Sequence, residues 1–442
     1  MTPDRRTVAT LGLVVGMVLA DSSVVILALP DILDRFHVAI DTVAWVLTIF
    51  NLTMAIAAVP AAYLSRRLPP ALVCRAGLVV FGLASLGCAL APGFDWLLAF
   101  RVVQAIGGAA AACAALELLP AAAGSELRAI AVWAAAGAIG AAAGPAIGGA
   151  LTQAISWSAV FLVQVPLAAV AFVLIPRSSA VVEPAAPDRP VVSANVALAL
   201  VSAALTAALF LIVLLLINGW GHTPLQAAAI VTVMPISAFA AYRLAPNLAP
   251  RAGAISGAVL IAGGLAALGL LPGANWAWLI APQIAIGAGL ALAVGALTHE
   301  ALAGRSPLAI HGGWTMAARH AGVCVGLLIL TPLFTHDLKV QQKAAELAGA
   351  RLVINSSLGF TQKLQLGDAL LHQITSGTVT HPPDLRPAFK PFAGATGIAP
   401  LEDAIQDEID KAVTHAFSRS FLVAALLALL ATLPLALQPR RA

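Results

Sequence analysis

The residues of this sequence that could do chemistry are ionisable side chains inside long apolar runs. Asp21 lies ~20 Å from the start of the first run at helical rise, too deep for its carboxylate to reach water. Burial there costs a carboxylate about 2.5–3.5 kcal/mol and favours its protonated form. We interpret Asp21 as a proton-coupling or cation-sensing acid that faces a cavity. The alternative is a carboxylate that is paired only for folding.

Basic and amide side chains share one helix face in the fourth apolar run. Arg101, Gln104 and Gly108 are spaced i, i+3 and i+7. Arg101 and Asp21 fall at similar depth, so the two could form an ion pair between helices. Such a pair would make protonation of the acid depend on conformation. The alternative is that Arg101 extends outward to the membrane interface.

A polar stripe interrupts the eleventh run. His311, Thr315 and Arg319 recur every four residues, and Arg319 is too deep to reach the interface easily. We expect Arg319 to face a cavity or an interface between helices, while the histidines could equally make ordinary hydrogen bonds. Three uncharged polar residues are expected to hydrogen-bond between helices: Asn51, Gln164 and Gln283.

The fifth run carries glycines at helical spacing around a proline. Small residues every three or four positions let two helices approach closely, and a proline permits a bend. The pattern predicts either a mobile or tightly sealed helix pair, or ordinary close packing. The residues are Gly140, Gly144, Pro145, Gly148 and Gly149.

Membrane helices must position these side chains. The 442 residues are 60% apolar and 10% charged, with a mean hydropathy of +0.95, which excludes a soluble enzyme. Twelve runs are long enough to cross a bilayer, and the short or interrupted ones widen the range to ten to fourteen. The runs lie at roughly 8–30, 42–64, 71–90, 96–118, 129–152, 158–176, 192–217, 224–243, 253–271, 276–301, 308–333 and 418–438.

Charge and motifs narrow the class further. With the N-terminus inside, thirteen arginines fall in cytoplasmic segments and only Arg35 in the short outer loops, so both termini are expected to be cytoplasmic. The net charge of +4 predicts no nucleic-acid partner. Neither an ATP-binding, a dinucleotide-binding nor a zinc-protease motif occurs. We therefore expect no enzyme activity, no cofactor and no metal.

The segment 177–191 divides the runs six and six. Tyr63 and Tyr242 each end the second run of their half and precede a short Arg/Pro loop, at an offset of 179 residues. Such an echo is typical of parallel repeats. We predict an all-α membrane protein with one six-helix bundle at 1–176, a cytoplasmic linker at 177–191 and a second bundle at 192–442.

A polar stretch, 336–417, separates the last two runs and holds all five lysines. Helix-like pieces at 337–352, 362–374 and 401–419 surround a Gly/Pro-rich stretch at 381–400. We expect the first and third pieces to extend the neighbouring spans, with a looser middle. An extracytoplasmic location would allow an outer partner to bind this stretch.

Several motifs resemble the drug:proton antiporters of the major facilitator superfamily, including their fourteen-span branch. Residues 20–30 are similar to the first-span motif LDxTVVNVALP, residues 101–109 to the fourth-span motif RxxQGxGxA, and residues 140–149 to the fifth-span antiporter motif. The resemblance implies two six-helix halves, alternating access and a central cavity. It also implies that Asp21 and Arg101 take part in proton coupling and that the glycine–proline span favours export.

The loop after the second run departs from the family pattern GxLaDrxGrr. Arg66 stands where the pattern has Asp, Arg67 follows it, and Pro69 and Pro70 replace Gly and Arg. This gating loop therefore lacks the residues of the usual charge latch between the halves. Nearby, Glu117 is expected to be solvated at the interface.

Together these patterns predict a plasma-membrane secondary transporter that exports amphipathic or lipophilic small molecules in exchange for protons. Its partners would be the substrate, protons and membrane lipid. One alternative is an exporter of lipid or lipid-like metabolites that uses 336–417. Another is a non-transporting receptor or scaffold derived from a transporter.

Overall fold

The computed structural model describes residues 4–176, 187–244, 248–376, 385–395 and 397–436. Most of the predicted linker, residues 177–186, lies outside this set, as do Arg440, Arg441 and part of the Gly/Pro-rich stretch. The described chain is helical and contains no strand. The predicted all-α fold class is confirmed.

The helices are numbered in chain order. The first nine are α1 (Arg5–Ile26), α2 (Leu29–Phe36), α3 (Ile40–Val43), α4 (Trp45–Arg67), α5 (Pro70–Ala89), α6 (Phe94–Ala123), α7 (Glu126–Ala154), α8 (Ala159–Leu162) and α9 (Gln164–Leu174). The next six are α10 (Val192–Leu214), α11 (Pro224–Val231), α12 (Val233–Leu244), α13 (Pro250–Gly269), α14 (Ile280–Leu302) and α15 (Leu308–Asn355). The last five are α16 (Phe360–Ser376), α17 (Arg386–Phe389), α18 (Ile398–Ala416), α19 (Ser418–Leu430) and α20 (Thr432–Ala436). A π-helix, Leu215–Gly219, continues α10, and 3-10 turns occur at Trp276–Leu279 and Lys390–Phe392.

Eleven helical stretches of the described chain are long and apolar enough to cross a bilayer. A shorter apolar stretch, Ala159–Leu174, occupies the place of the predicted sixth span. It is interrupted between α8 and α9, and the predicted first run is likewise split after Ile26. The remaining predicted runs each correspond to one of the long helical stretches.

Local sequence explains where the first span begins. The Asp4 carboxylate accepts hydrogen bonds from the backbone N–H groups of Arg6 and Thr7 and so caps α1. The Thr7 hydroxyl also donates to this carboxylate. These hydrogen bonds, the hydroxyl's first, lower the pKa of Asp4 from its ordinary value. The cap fixes the start of the helix that carries Asp21.

Close glycine contacts set the spacing between neighbouring helices. A Cβ at Gly77 in α5 would lie 2.7 Å from the Gly107 carbonyl oxygen of α6. A Cβ at Gly257 in α13 would lie 2.6 Å from the Gly289 carbonyl oxygen of α14. Because such distances exclude a side chain, both pairs pack backbone against backbone.

The described residues of the polar stretch 336–417 form a set of helices at one end of the bundle, here called the helical layer: the C-terminal part of α15, with α16, α17 and α18. Its three predicted pieces are helical: α15 runs on to Asn355, α16 covers the second piece, and α18 leads into α19. Arg419 pairs with Asp337 at 2.9 Å and so joins the bases of the two extended helices. Buried apolar residues of α15, α16, α17 and α18 form a separate small core.

Candidate functional site

The centre of the site is an ion pair between α1 and α6. Asp21 and Arg101 both have 0% of their surface exposed. Arg101 Nη1 lies 2.5 Å from Asp21 Oδ2. The ion pair that the sequence allowed is therefore present, and the alternative that Arg101 extends to the interface is wrong. The reason is that α6 begins seven residues earlier, at Phe94, which leaves Arg101 two turns inside the bundle.

Two glutamine amides complete the surroundings of the carboxylate. Asp21 Oδ1 accepts from Gln104 Nε2 at 3.2 Å and from Gln164 Nε2 at 2.9 Å. Gln104 Oε1 also accepts from Arg101 Nη1 at 2.7 Å. Both carboxylate oxygens of Asp21 therefore act as hydrogen-bond acceptors, toward one guanidinium and two amides.

The guanidinium is held on its other sides by the backbone and by aromatic rings. Arg101 Nε donates to the Val46 carbonyl oxygen at 3.1 Å, and the Phe50 ring centroid lies 4.1 Å from Arg101 Cζ. Within the described chain, Arg101 Nη2 has no hydrogen-bond partner. The guanidinium is thus fixed in place, and its Nη2 group remains available as a hydrogen-bond donor.

Gln164 and Ser85 are site residues that sequence reasoning underestimates. The sequence predicts only a structural hydrogen bond for Gln164, yet this residue contacts Asp21 directly. Ser85 in α5 accepts from Gln104 Nε2 at 2.8 Å. The signal in the sequence is an amide in the sixth apolar run, but nothing in the spacing joins it to a residue 143 positions earlier.

A small cavity of about 100 Å³, called the central cavity below, is lined by Ser22 and Ser23, the two residues that follow Asp21 in α1. Its walls come from both predicted bundles, with Ser22, Pro145, Ser202, Met234 and Arg319 among the lining residues. No Asp or Glu lines it in the described chain. Arg319 makes no hydrogen bond or ion pair to any described residue, so its charge is directed at the cavity.

A hydrogen-bonded chain crosses between the two predicted bundles beside this cavity. Ser22 and Asn51 contact each other, with 3.1 Å between Asn51 Nδ2 and Ser22 Oγ. His320 Nδ1 lies 2.7 Å from Asn51 Oδ1. Because Asn51 Nδ2 also donates to the Leu47 carbonyl oxygen, its Oδ1 is the acceptor and the His320 ring donates.

The rest of the predicted polar stripe does not reach the cavity. Thr315 and His311 are buried about one and two turns closer to the start of α15 than Arg319. The Thr315 hydroxyl donates to the His311 carbonyl oxygen at 2.9 Å. Sequence spacing places the three residues on one helix face. Only the end of that face with Arg319 meets the cavity.

The glycine stripe of α7 packs on two partners. A Cβ at Gly140 would lie 3.0 Å from Gly16 Cα, and one at Gly144 would lie 2.9 Å from the Val24 nitrogen, both in α1. Gly148 also faces Val24. A Cβ at Gly149 would lie 2.8 Å from the Pro224 carbonyl oxygen of α11, so the stripe joins α1 to the second predicted bundle. Pro145 lines the cavity.

Arg66 and Arg67, predicted to lie in a gating loop, are the last two residues of α4, and Arg66 forms an ion pair that the sequence did not predict. Arg66 Nη1 lies 3.2 Å from Glu117 Oε1, and both side chains are nearly buried. The expectation that Glu117 is solvated at the interface is wrong, because α6 extends to Ala123 and keeps Glu117 beside α4. Arg67 is exposed. Arg66, which stands where the family pattern has Asp, is therefore paired with an acid from another helix, Glu117.

The four cysteines are free and buried. The described residues hold no cluster of three or more His, Cys, Asp or Glu side chains with metal-site geometry.

These features define a multi-pass helical membrane protein with a buried charge centre and a small central cavity. Residues 11–327 match the Major Facilitator Superfamily. The match covers well over half of the chain, and the chain belongs to this superfamily. Its members are membrane transporters, so the protein is not an enzyme.

Similar proteins share part of the chain. Multidrug resistance protein Stp of Mycobacterium tuberculosis is 34% identical over 171 residues, 38% of this chain and 32% of that protein. Drug efflux pump JefA of the same species is 34% identical over 178 residues, 39% of this chain and 35% of its own length. Methyl viologen resistance protein SmvA of Salmonella typhimurium is 35% identical over 174 residues, which are 39% of this chain and 35% of that protein. The chain thus spans about a third of the length of the curated relatives it matches.

A solved structure has the same fold along nearly the whole chain. The inward-facing, unoccupied crystal structure of a bacterial homologue of the human lysosomal transporter Spinster aligns with a TM-score of 0.65. The alignment covers 99% of this chain and 98% of that chain at 16% identity.

Proposed function

We propose that the protein is a proton-coupled antiporter that exports amphipathic or lipophilic small molecules across the plasma membrane, with both termini in the cytoplasm. The observation that carries the proposal is the buried Asp21, which is held by Arg101, Gln104 and Gln164 and is followed in α1 by two residues that line the central cavity. The names of Stp, JefA and SmvA, which refer to drug efflux or resistance, support the substrate class.

Proton uptake by Asp21 would change the contact between α1 and α6. A protonated carboxyl is neutral and carries a donor hydrogen, so it can no longer balance the Arg101 guanidinium. Arg101 would then keep the Val46 carbonyl oxygen and Gln104 as partners. Because Ser22 and Ser23 lie next to Asp21 and line the cavity, loosening of this contact would reach the cavity wall.

The direction of coupling follows from where protons are abundant. Asp21 would take up a proton from the acidic outer side and release it inward. Substrate would bind when Asp21 is ionised and paired with Arg101. Bundles 1–176 and 192–442 would then move about the cavity, with the α7 glycine stripe and the end of α4 at Arg66 and Arg67 as the parts that accommodate the motion.

The cavity must enlarge during this cycle. Sites for small molecules usually have volumes of roughly 300–1,000 Å³, whereas the central cavity has about 100 Å³. The cavity of the present structure is therefore too small for a drug-sized molecule. Arg319, directed at this space without a protein partner, would line the widened path together with Asn51 and Gln104.

The test is dye efflux driven by an imposed pH gradient in proteoliposomes that contain the full-length protein. Asp21→Asn removes the titrating group and keeps the shape, and we expect it to abolish gradient-driven efflux. Asp95→Asn removes an exposed carboxylate at the start of α6 and should leave efflux unchanged. Efflux by the wild type should also collapse with a protonophore.

The contrary outcomes are distinct. Proton-driven efflux by Asp21→Asn at the wild-type rate would refute the assignment of the coupling site. A wild type that moves neither dyes nor protons would refute antiport altogether and favour a receptor or scaffold. Movement of lipid in the absence of dye movement would replace the proposed substrate class.

A further inference from the structure

We propose that the helical layer and the adjoining ends of the membrane helices form a second binding site, a chamber for one single-chain amphiphile. The chamber is a cavity of about 630 Å³, roughly six times the volume of the central cavity. This volume falls within the range of small-molecule sites. It is separate from the Asp21 site, and the proposal does not depend on proton coupling.

The walls of the chamber are apolar side chains that would otherwise face water. Six large apolar residues of the described part of 336–417 are exposed, and four of them line this cavity. Those four are Ile354, Phe360, Leu364 and Leu371, with exposed fractions of 66%, 79%, 60% and 57%. The segment also carries all five lysines of the chain, so these exposed apolar side chains occur within an otherwise polar segment. Exposed apolar side chains that are grouped around one cavity are typical of a ligand-binding site.

The floor of the chamber belongs to the membrane bundle. It is lined by Leu214, the last residue of α10, by Gly219, the last residue of the π-helical turn, and by Phe334 and Phe417. π-Helical turns are frequent at functional sites. An apolar ligand in the chamber would therefore touch the ends of the membrane helices and the layer above them at once.

The contact between layer and bundle is specific. Trp220 Nε1 donates to the Thr414 hydroxyl of α18 at 3.1 Å, immediately after the π-helical turn. A Cβ at Gly219 would lie 3.0 Å from Val413 Cγ1, so α18 sits directly on this turn. The chamber therefore lies between the helical layer and the membrane bundle, which are held together by direct contacts of α18 with the π-helical turn and Trp220.

The lining also indicates the chemistry of the occupant. Most lining residues are aliphatic or aromatic, which suits an alkyl chain. Charged and amide groups, Glu346, Lys363 and Gln342, occur among them and can bind a polar headgroup. A ligand with one alkyl chain and one polar end satisfies both parts of the wall.

The experiment uses the full-length protein in lipid nanodiscs and a dodecyl amphiphile that carries a zwitterionic headgroup and a diazirine on its chain. After illumination, we expect adducts on α15, α16 and α18 at chamber residues. Leu364→Asp places a charge in the apolar wall and should lower these adducts about tenfold or more. Leu347→Asp changes an equally exposed leucine of α15 that does not line the chamber, and should leave them unchanged.

A second pair of variants blocks the chamber only after folding. Gly367 lines the cavity and Gly394 does not, and neither has an atom within 4 Å of where a Cβ would lie. Gly367→Cys and Gly394→Cys should therefore both fold, and a bulky maleimide will select them because the native cysteines are buried. The maleimide should remove the adducts in Gly367→Cys alone.

Either of two results would overturn the chamber. One is adducts confined to the lipid-facing sides of the membrane helices. The other is labelling of the layer that persists after the Gly367→Cys variant has been blocked. Because the adducts report binding directly, both results have the same meaning whether or not the protein proves to be a proton antiporter.

Discussion

The two predicted bundles use the same helix contacts but differ in their polar centres. Gly77 and Gly107 join α5 to α6, and Gly257 and Gly289 join α13 to α14 at offsets of 180 and 182 residues. At the offset of 182 from Arg101 stands Gln283. Gln283 is fully buried, and its side-chain amide has no hydrogen-bond partner in the described chain.

The two bundles therefore share their glycine-mediated helix packing but not the buried ion pair. Close glycine contacts recur because both bundles must bring the same helices together in lipid. The buried ion pair occurs at only one of the two equivalent places, where α1 supplies an acid. Charge in the membrane interior is costly and is kept where it has a function, so the first bundle is the candidate for proton coupling.

Removal of the cation should have the largest effect on stability. Arg101→Ala leaves Asp21 buried without its charge partner, and we expect a loss of about 3–5 kcal/mol. Thermal unfolding can be followed with a thiol-reactive dye, since all four cysteines are buried. The double variant Asp21→Asn with Arg101→Gln should lose much less. If the double variant is as unstable as Arg101→Ala, charge imbalance is not the cause.

The glycine stripe of α7 should be the next most sensitive feature. Gly144→Ala would push a methyl group against the backbone of α1, at an expected cost of about 1–3 kcal/mol. Gly295→Ala, in α14 of the second bundle, meets no atom within 4 Å and should stabilise its helix by up to about 1 kcal/mol. Equal unfolding temperatures of the two variants would contradict the close α1–α7 contact.

The ion pair at the end of α4 should contribute less, because it lies near the end of the bundle. Arg66→Ala leaves Glu117 nearly buried and is expected to cost about 1–2 kcal/mol. The neighbouring variant Arg67→Ala changes an exposed side chain and should stay within about 0.5 kcal/mol of the wild type. Unfolding in detergent measures both, and a larger effect at Arg67 would show that the pair is not the stabilising contact.

The smallest effect is expected at the counterpart of Arg101. Gln283→Leu replaces a buried amide that lacks partners in the described chain with an apolar side chain of similar size. Stability should remain the same or rise by about 1 kcal/mol. A loss of several kcal/mol would mean that the second bundle has a polar centre of its own, and the contrast between the bundles would fail.

Much of the architecture was predictable because hydropathy is local. Each of the twelve predicted runs corresponds to a helical stretch, and the three helical pieces of 336–417 are also in place. Asp21 and Arg101 were identifiable for the same reason, since a charge inside an apolar run is conspicuous. The breaks after Ile26 and between α8 and α9 were missed, because apolar composition does not reveal where a helix is interrupted.

The sequence by itself determined which segments are helical, which of them can enter a membrane and which charges must be buried with a partner. The tertiary structure decided which side chains from distant parts of the chain contact these charges. Gln164 reaches Asp21 across 143 positions, Glu117 meets Arg66 across 51, and the chamber joins α10 to α16. Helix formation depends on neighbours within a few residues, whereas these contacts depend on how all the helices pack together.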